Sequence, residues 1–201
     1  MNNDLNDELG KLTQKVLDLE QTVEQLNRQV KILSKIASFN HTEWQISHYV
    51  EHKRKMLAVG VSQTFDRNFR ICRIDCDLYE LNERDNPFRN KGHMWATITY
   101  DEKDKGKVHV KLEDFTIAVR RRSQGYGSIL LDTFLFHIKQ YLLVDTLVIT
   151  GMLSQEDEKN PENQQRRDDF YKKFGFELNY ETRQLKKVIS SKQDELTSVQ
   201  K

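Results

Sequence analysis

Arg122-Ser123-Gln124-Gly125-Tyr126-Gly127 separates two hydrophobic periods, and that junction restricts the fold more than any other stretch of the chain. Upstream, Phe115, Ile117 and Val119 alternate with Thr116 and Ala118, the period of a strand. Downstream, Ile129/Leu130, Thr133/Phe134, His137/Ile138 and Tyr141 recur at helical spacing. A strand that runs through a glycine turn into a helix leaves backbone N–H groups unpaired at the positive end of the helix dipole. The ligand suited to such a turn is a phosphate or pyrophosphate. Gly125 and Gly127 admit close approach of that ligand, having no Cβ. The turn is not a P-loop, because no Gly-Lys-Ser/Thr follows, and Leu130 stands where a dinucleotide fingerprint needs its third glycine.

A second segment lies downstream. Asp169-Phe170-Tyr171-Lys172-Lys173-Phe174-Gly175-Phe176-Glu177 reads as a helix end closed by glycine, followed by an aromatic strand start. Together, in this order and spacing, the two segments resemble the GNAT family of acetyl-CoA-dependent N-acetyltransferases. The first is similar to that family's Q/R-x-x-G-x-G/A pyrophosphate loop, the second to its Y-x-K-x-G-F segment. The resemblance spans about residues 65–188. It implies an α/β fold of mixed type: a largely antiparallel sheet with helices on both faces, here preceded by an N-terminal coiled-coil helix. It also implies acetyl-CoA as co-substrate and a primary amine, small molecule or protein, as acceptor.

That N-terminal helix has its own signal. Leu9, Val16, Val23 and Val30 take heptad position a, and Leu5, Leu12, Leu19, Leu26 and Leu33 take position d. Mostly β-branched a positions with Leu at d favour a parallel two-stranded coil, and Lys15 at g faces Glu20 at the following e. The expected division is a coiled coil over 1–38, a connecting helical segment over 39–64, the acetyltransferase-like domain over 65–189 and a polar tail over 190–201. A homodimer through residues 4–37 follows.

Composition narrows the class. The 32 basic and 31 acidic residues nearly cancel, giving no general case for nucleic-acid or anionic-membrane binding. The longest apolar run, Tyr141 to Val144, is too short to cross a bilayer, and the N-terminus lacks a signal-peptide pattern. Cys72 and Cys76 sit in one expected strand, about 13 Å apart along it, too far to bridge. Reduced thiols in the cytoplasm are the expectation. His41, His48 and His52 cluster in the connecting segment, but no Cys, Asp or Glu at supporting spacing completes a metal site.

From Phe69 the pattern turns to strands: one through Leu78, then Met94–Tyr100, a charged turn with Gly106, and Val108–Glu113. The phosphate-loop strand and helix follow, then Thr146–Ile149, a polar loop to Asn160-Pro161, a helix to about Phe174, and strands at Phe176–Tyr180 and Leu185–Ile189.

Acetyl transfer from a thioester to an amine needs a held cofactor, a neutral amine, a donor for the oxyanion and a proton for the leaving thiolate. Arg120, Arg121 and Arg122 supply cations beside the loop formed by Ser123, Gln124, Gly125, Tyr126, Gly127 and Ser128. By the resemblance, the main chain of Ile117, Ala118 and Val119 pairs with the pantetheine arm as an added strand would. Tyr171 matches the family's acid tyrosine, and a phenol keeps its proton at neutral pH. Where the family often carries an Asn seven residues earlier, this chain has Gln164, with Asn163 adjacent. Glu113 precedes Phe115–Val119 by the interval at which lysine-acetylating members carry a glutamate, which makes it the candidate base. A different class also stays open: a scaffold that holds CoA without turnover while its coil contacts a partner.

Overall fold

The computed structural model describes residues 2–37, 45–81, 89–118 and 124–190. Helix α1 (Asn2–Ala37) is followed by five antiparallel strands: β1 (Gln45–His52), β2 (Lys55–Phe65), β3 (Ile71–Leu81), β4 (Arg89–Tyr100) and β5 (Lys107–Ile117). Helix α2 (Tyr126–Tyr141) leads to β6 (Thr146–Met152), the short α3 (Gln155–Glu158), α4 (Pro161–Lys173), β7 (Glu177–Asn179) and β8 (Gln184–Ser190). All eight strands form one sheet in the order β1-β2-β3-β4-β5-β6-β8-β7, with β5 and β6 its parallel pair. The expected mixed, largely antiparallel sheet with an N-terminal helix is what forms.

Alternation puts Leu57, Val59 and Val61 of β2, Ile74, Cys76 and Leu78 of β3, Met94, Ala96 and Ile98 of β4, and Val108, Val110 and Leu112 of β5 on one face. Leu130, Phe134 and Ile138, four residues apart along α2, complete that cluster, and Phe170, Tyr171 and Phe174 of α4 pack against it. Helices α2 and α4 therefore share a face, where helices on both faces were expected. The other face carries a smaller group, Ala58 and Leu81 with Ile46, Met56 and Tyr79.

Two further expectations are corrected. Residues 45–64 are a β-hairpin rather than a connecting helix, with Val50, Val59 and Val61 among the β-branched residues that suit it. In this strand His48 and His52 are about 13 Å apart along the backbone. Among the described residues no three or more His, Cys, Asp or Glu side chains come together as a metal site would need. The hairpin turns through Lys53 and Arg54 at φ 50° and 61°, the geometry that Asn-Gly usually fills. Left-handed backbone costs a residue with a Cβ about 1–2 kcal/mol.

The strands expected at 108–113 and 115–119 are one continuous β5. The β4–β5 register shifts between Trp95 and Ala96, so that Trp95 faces Asp114 while Ala96 faces Leu112. Glu113 is the extra residue of that bulge. His41 and Trp44, the Asn86–Phe88 part of the expected turn, and the tail from 191 onward lie outside the described residues.

Along α1, Leu9, Leu12, Val16, Leu19, Val23, Leu26 and Val30 are 52–65% exposed. No helix among the described residues is long and apolar enough to cross a membrane.

Candidate active site

Parallel pairing of β5 with β6 ends at Lys111 and Thr150. Past that point β5 continues to Ile117 bonded to β4, and β6 to Met152 bonded to β8, so the two strands part. The edge of β5 that faced β6 is then open from Leu112 onward among the described residues. A cleft of about 940 Å³ lies in the opening. Asp114 to Ala118 form one wall, Gly125, Gly127 and Ser128 of the α2 start form one end, and Ser154, Glu156 and Asp157 with the inner face of α4 form the other wall.

The two helix starts beside this cleft differ in chemistry. At α4, Asn160 caps its own helix, its side-chain oxygen accepting the N–H of Glu162 at 2.9 Å and of Asn163 at 3.3 Å. At α2 the cap is Gly125, at φ +90°, which has no side chain to take the first N–H groups. The start of a 16-residue helix, the positive end of its dipole, thus meets the cleft without a side-chain cap from its own N-cap residue. Gly125 is required twice over: its φ disfavours any L side chain, and a Cβ there would lie 3.0 Å from the His52 ring.

Tyr171 lies across the cleft, half-buried. Its ring meets Phe115 at 6.5 Å and Phe176 at 5.6 Å, both edge-on. Burial pushes the phenol up to about 12, the Arg167 guanidinium pulls it down, and the Asp157 and Asp114 carboxylates push it up again. The group therefore holds its proton throughout the neutral range and is present as a donor for a thiolate leaving group held against it. Because the protonated form persists below that raised value, an activity that uses this proton should show no basic-side decline between about pH 7 and about pH 10. A pH–kcat profile that falls through pH 9–10 in wild type, but not in Tyr171→Phe, would contradict the raised value for this phenol.

Of the residues expected to form the site, Ile117, Ala118, Gly125, Gly127, Ser128, Asn163 and Tyr171 line the cleft. Gln124 and Tyr126 support it from behind. The Gln124 carbonyl accepts from His52 Nε2, and the buried Tyr126 donates its hydroxyl to Glu80 at 3.3 Å. Gln164 and Glu113 do not line the cleft. Glu113 accepts hydrogen bonds from Lys111 Nζ at 2.8 Å and Thr97 Oγ1 at 2.9 Å, and the Lys111 ammonium in particular holds its carboxyl below the ordinary range. The bulge turns Asp114, not Glu113, into the opening. Val119, Arg120, Arg121, Arg122 and Ser123 lie outside the described residues.

The structure adds residues that sequence spacing did not single out. Arg167 is one helical turn before Tyr171, buried, and ties the Ser154 segment to α4 within one wall: Nη1 donates to the Ser154 carbonyl at 2.8 Å and Nε to Asp168 at 2.9 Å. Its i, i+4 relation to Tyr171 was the signal that could have found it. Lys91, Arg166 and Asp157 also line the cleft, and nothing local in the sequence sets them apart from other surface charges.

No protein-family model matches the chain, and no curated protein does. Three solved structures are among those similar to it. A mutant AtaT toxin, bound to the C-terminus of the antitoxin AtaR and acetyl-CoA, is 18% identical over 64% of this chain and 74% of that one, with a TM-score of 0.40. The acetyltransferase of GNAT family from Streptococcus pneumoniae is 18% identical over 59% and 67%, at 0.39. Arabidopsis thaliana NAA60 with a bisubstrate analogue is 10% identical over 58% and 73%, at 0.41. Likeness at this level assigns no activity, which has to come from the cleft itself.

Proposed function

We propose that this chain is an acetyl-CoA-dependent N-acetyltransferase of the GNAT type. The observation that carries the reading is the parting of β5 from β6, which leaves an open strand edge between an uncapped helix start and a protonated phenol. A ligand with a pyrophosphate at one end, amide groups along its length and a thioester at the other matches those features in order. The pyrophosphate takes the α2 N–H groups, with Ser128 and Asn163 beside it and the cations Arg120, Arg121 and Arg122 close in sequence. The pantetheine amides pair with the open edge through Ile117, Ala118 and Val119.

The thioester carbon then meets the acceptor amine. The amine nitrogen forms the new N–C bond, the carbonyl oxygen takes up negative charge against a backbone N–H of β5, and collapse breaks the C–S bond. The leaving thiolate takes the Tyr171 proton, and the ammonium proton goes to solvent or to Asp114 at the cleft wall. With Glu113 held by Lys111 and Thr97 outside the cleft, the base role falls to these. Cys72 and Cys76 are both free thiols, in keeping with a reducing, cytoplasmic setting.

Release of free CoA thiol on incubation with acetyl-CoA and a panel of primary amines (lysine peptides, peptide N-termini, polyamines, aminoglycosides) tests the reading. Amine-dependent release is expected for at least one class. Binding of acetyl-CoA without release from any of them would leave a CoA-holding scaffold.

In the same reading α1 is one strand of a parallel homodimeric coil. Its a and d side chains bury apolar surface only against a second helix, and the domain core contains none of those described. Removing residues 1–38 should leave a folded monomer that still binds CoA. Sedimentation finding the full chain monomeric at micromolar concentration would contradict the dimer.

A further inference from the structure

The β1–β2 hairpin lies outside the span of the family resemblance, and no step of the acetyl transfer uses it. Yet His52, its last β1 residue, reaches the turn that opens α2. The Gln124 carbonyl can only accept, so the imidazole carries its proton on Nε2 and donates to it. The same ring lies edge-on to Tyr126 at 5.8 Å and occupies the space into which a Cβ at Gly125 would project. A second anchor stands beside it. Glu80 receives the Tyr126 hydroxyl and Lys55 Nζ, the latter at 2.8 Å, and Lys91 Nζ is 3.8 Å away. The residues on both sides of Gly125 are therefore held by groups of β1, β2 and β3. Next to His52 the hairpin turns through two exposed cationic residues, Lys53 and Arg54, both in the left-handed backbone that Asn-Gly would adopt without strain.

We infer that the β1–β2 hairpin is a working part of the phosphate subsite. His52 is a positioning residue that holds the Gln124–Gly125 backbone so that the α2 N–H groups converge on a pyrophosphate, and the Lys53–Arg54 turn brings cations to the phosphate-bearing end of the ligand. This rests on reading the cleft as a CoA site. It adds a sequence-distant element to that site and explains why a strained, charged turn stands where an easier one would fold better.

The test is calorimetry on the full chain with two probes, inorganic pyrophosphate and acetyl-CoA. His52→Ala should weaken both at least about tenfold. His52→Gln, whose amide N–H can reach the same carbonyl, should stay within about threefold of wild type. The pair Lys53→Asn with Arg54→Gly should raise Tm, because the turn is relieved, and still weaken acetyl-CoA at least about threefold. A purely structural hairpin would gain stability and lose no affinity. Pyrophosphate binding by His52→Ala within about twofold of wild type overturns the inference, as does full acetyl-CoA affinity in the turn variant or a wild-type chain that binds no pyrophosphate. If pyrophosphate and acetyl-CoA behave as expected while no amine is acetylated, the transferase reading falls and the hairpin's role stands.

Discussion

Tyr171→Phe should lower kcat on the order of 10²–10⁴-fold, the loss typical of one general acid, with acetyl-CoA affinity within about twofold of wild type. The substitution isolates the proton because the ring is kept. Phe115 and Phe176 pack edge-on against that ring, and a phenylalanine preserves both contacts. Stability should change little, since no hydrogen bond to the hydroxyl supports the fold among the described residues. Without the phenol the thiolate must leave unprotonated or borrow from water, and the barrier to C–S cleavage rises accordingly. A rate within about twofold of wild type on the best acceptor would return Tyr171 to packing alone.

Gly125→Asp should weaken acetyl-CoA at least about 100-fold. Three effects act in one direction. At φ +90° a residue with a Cβ is strained, the new Cβ meets the His52 ring at 3.0 Å, and the carboxylate competes for the N–H groups that a pyrophosphate would take. Gly125→Ala separates them: it keeps the strain and the contact but brings no charge, so it should lose clearly less affinity than the Asp variant. Circular dichroism of both proteins keeps loss of binding distinct from loss of fold. Unchanged calorimetric affinity in a folded Gly125→Asp chain would remove the loop from the binding site.

How much of this was legible depends on the range of the interaction. The α2 turn was readable because it is local: alternation before Gly125, helical spacing after it, and the glycine at the joint. Tyr171 is legible through the resemblance of its segment, ending in Phe174-Gly175-Phe176, to the family's Y-x-K-x-G-F. The β1–β2 hairpin was not, because the spacing of Ile46, Val50 and Met56 allows a helix as well as strands, and pairing with β3 decides between them. Glu113 shows the sharpest limit. Period-2 counting places it correctly only if the strand is regular, and a bulge created by the β4 register exchanges its position with that of Asp114. Lys91 and His52 reach the site through the tertiary fold, which no window along the chain contains.

The central claim is that the opening between β5 and β6 holds CoA, and amide hydrogen exchange with and without CoA tests it most directly. The account predicts slowed exchange concentrated in two segments, residues 113–118 of the open strand edge and residues 125–129 at the start of α2, with little change in β2 or β8. Protection that leaves both segments unchanged, or that appears only elsewhere on the sheet, would contradict it.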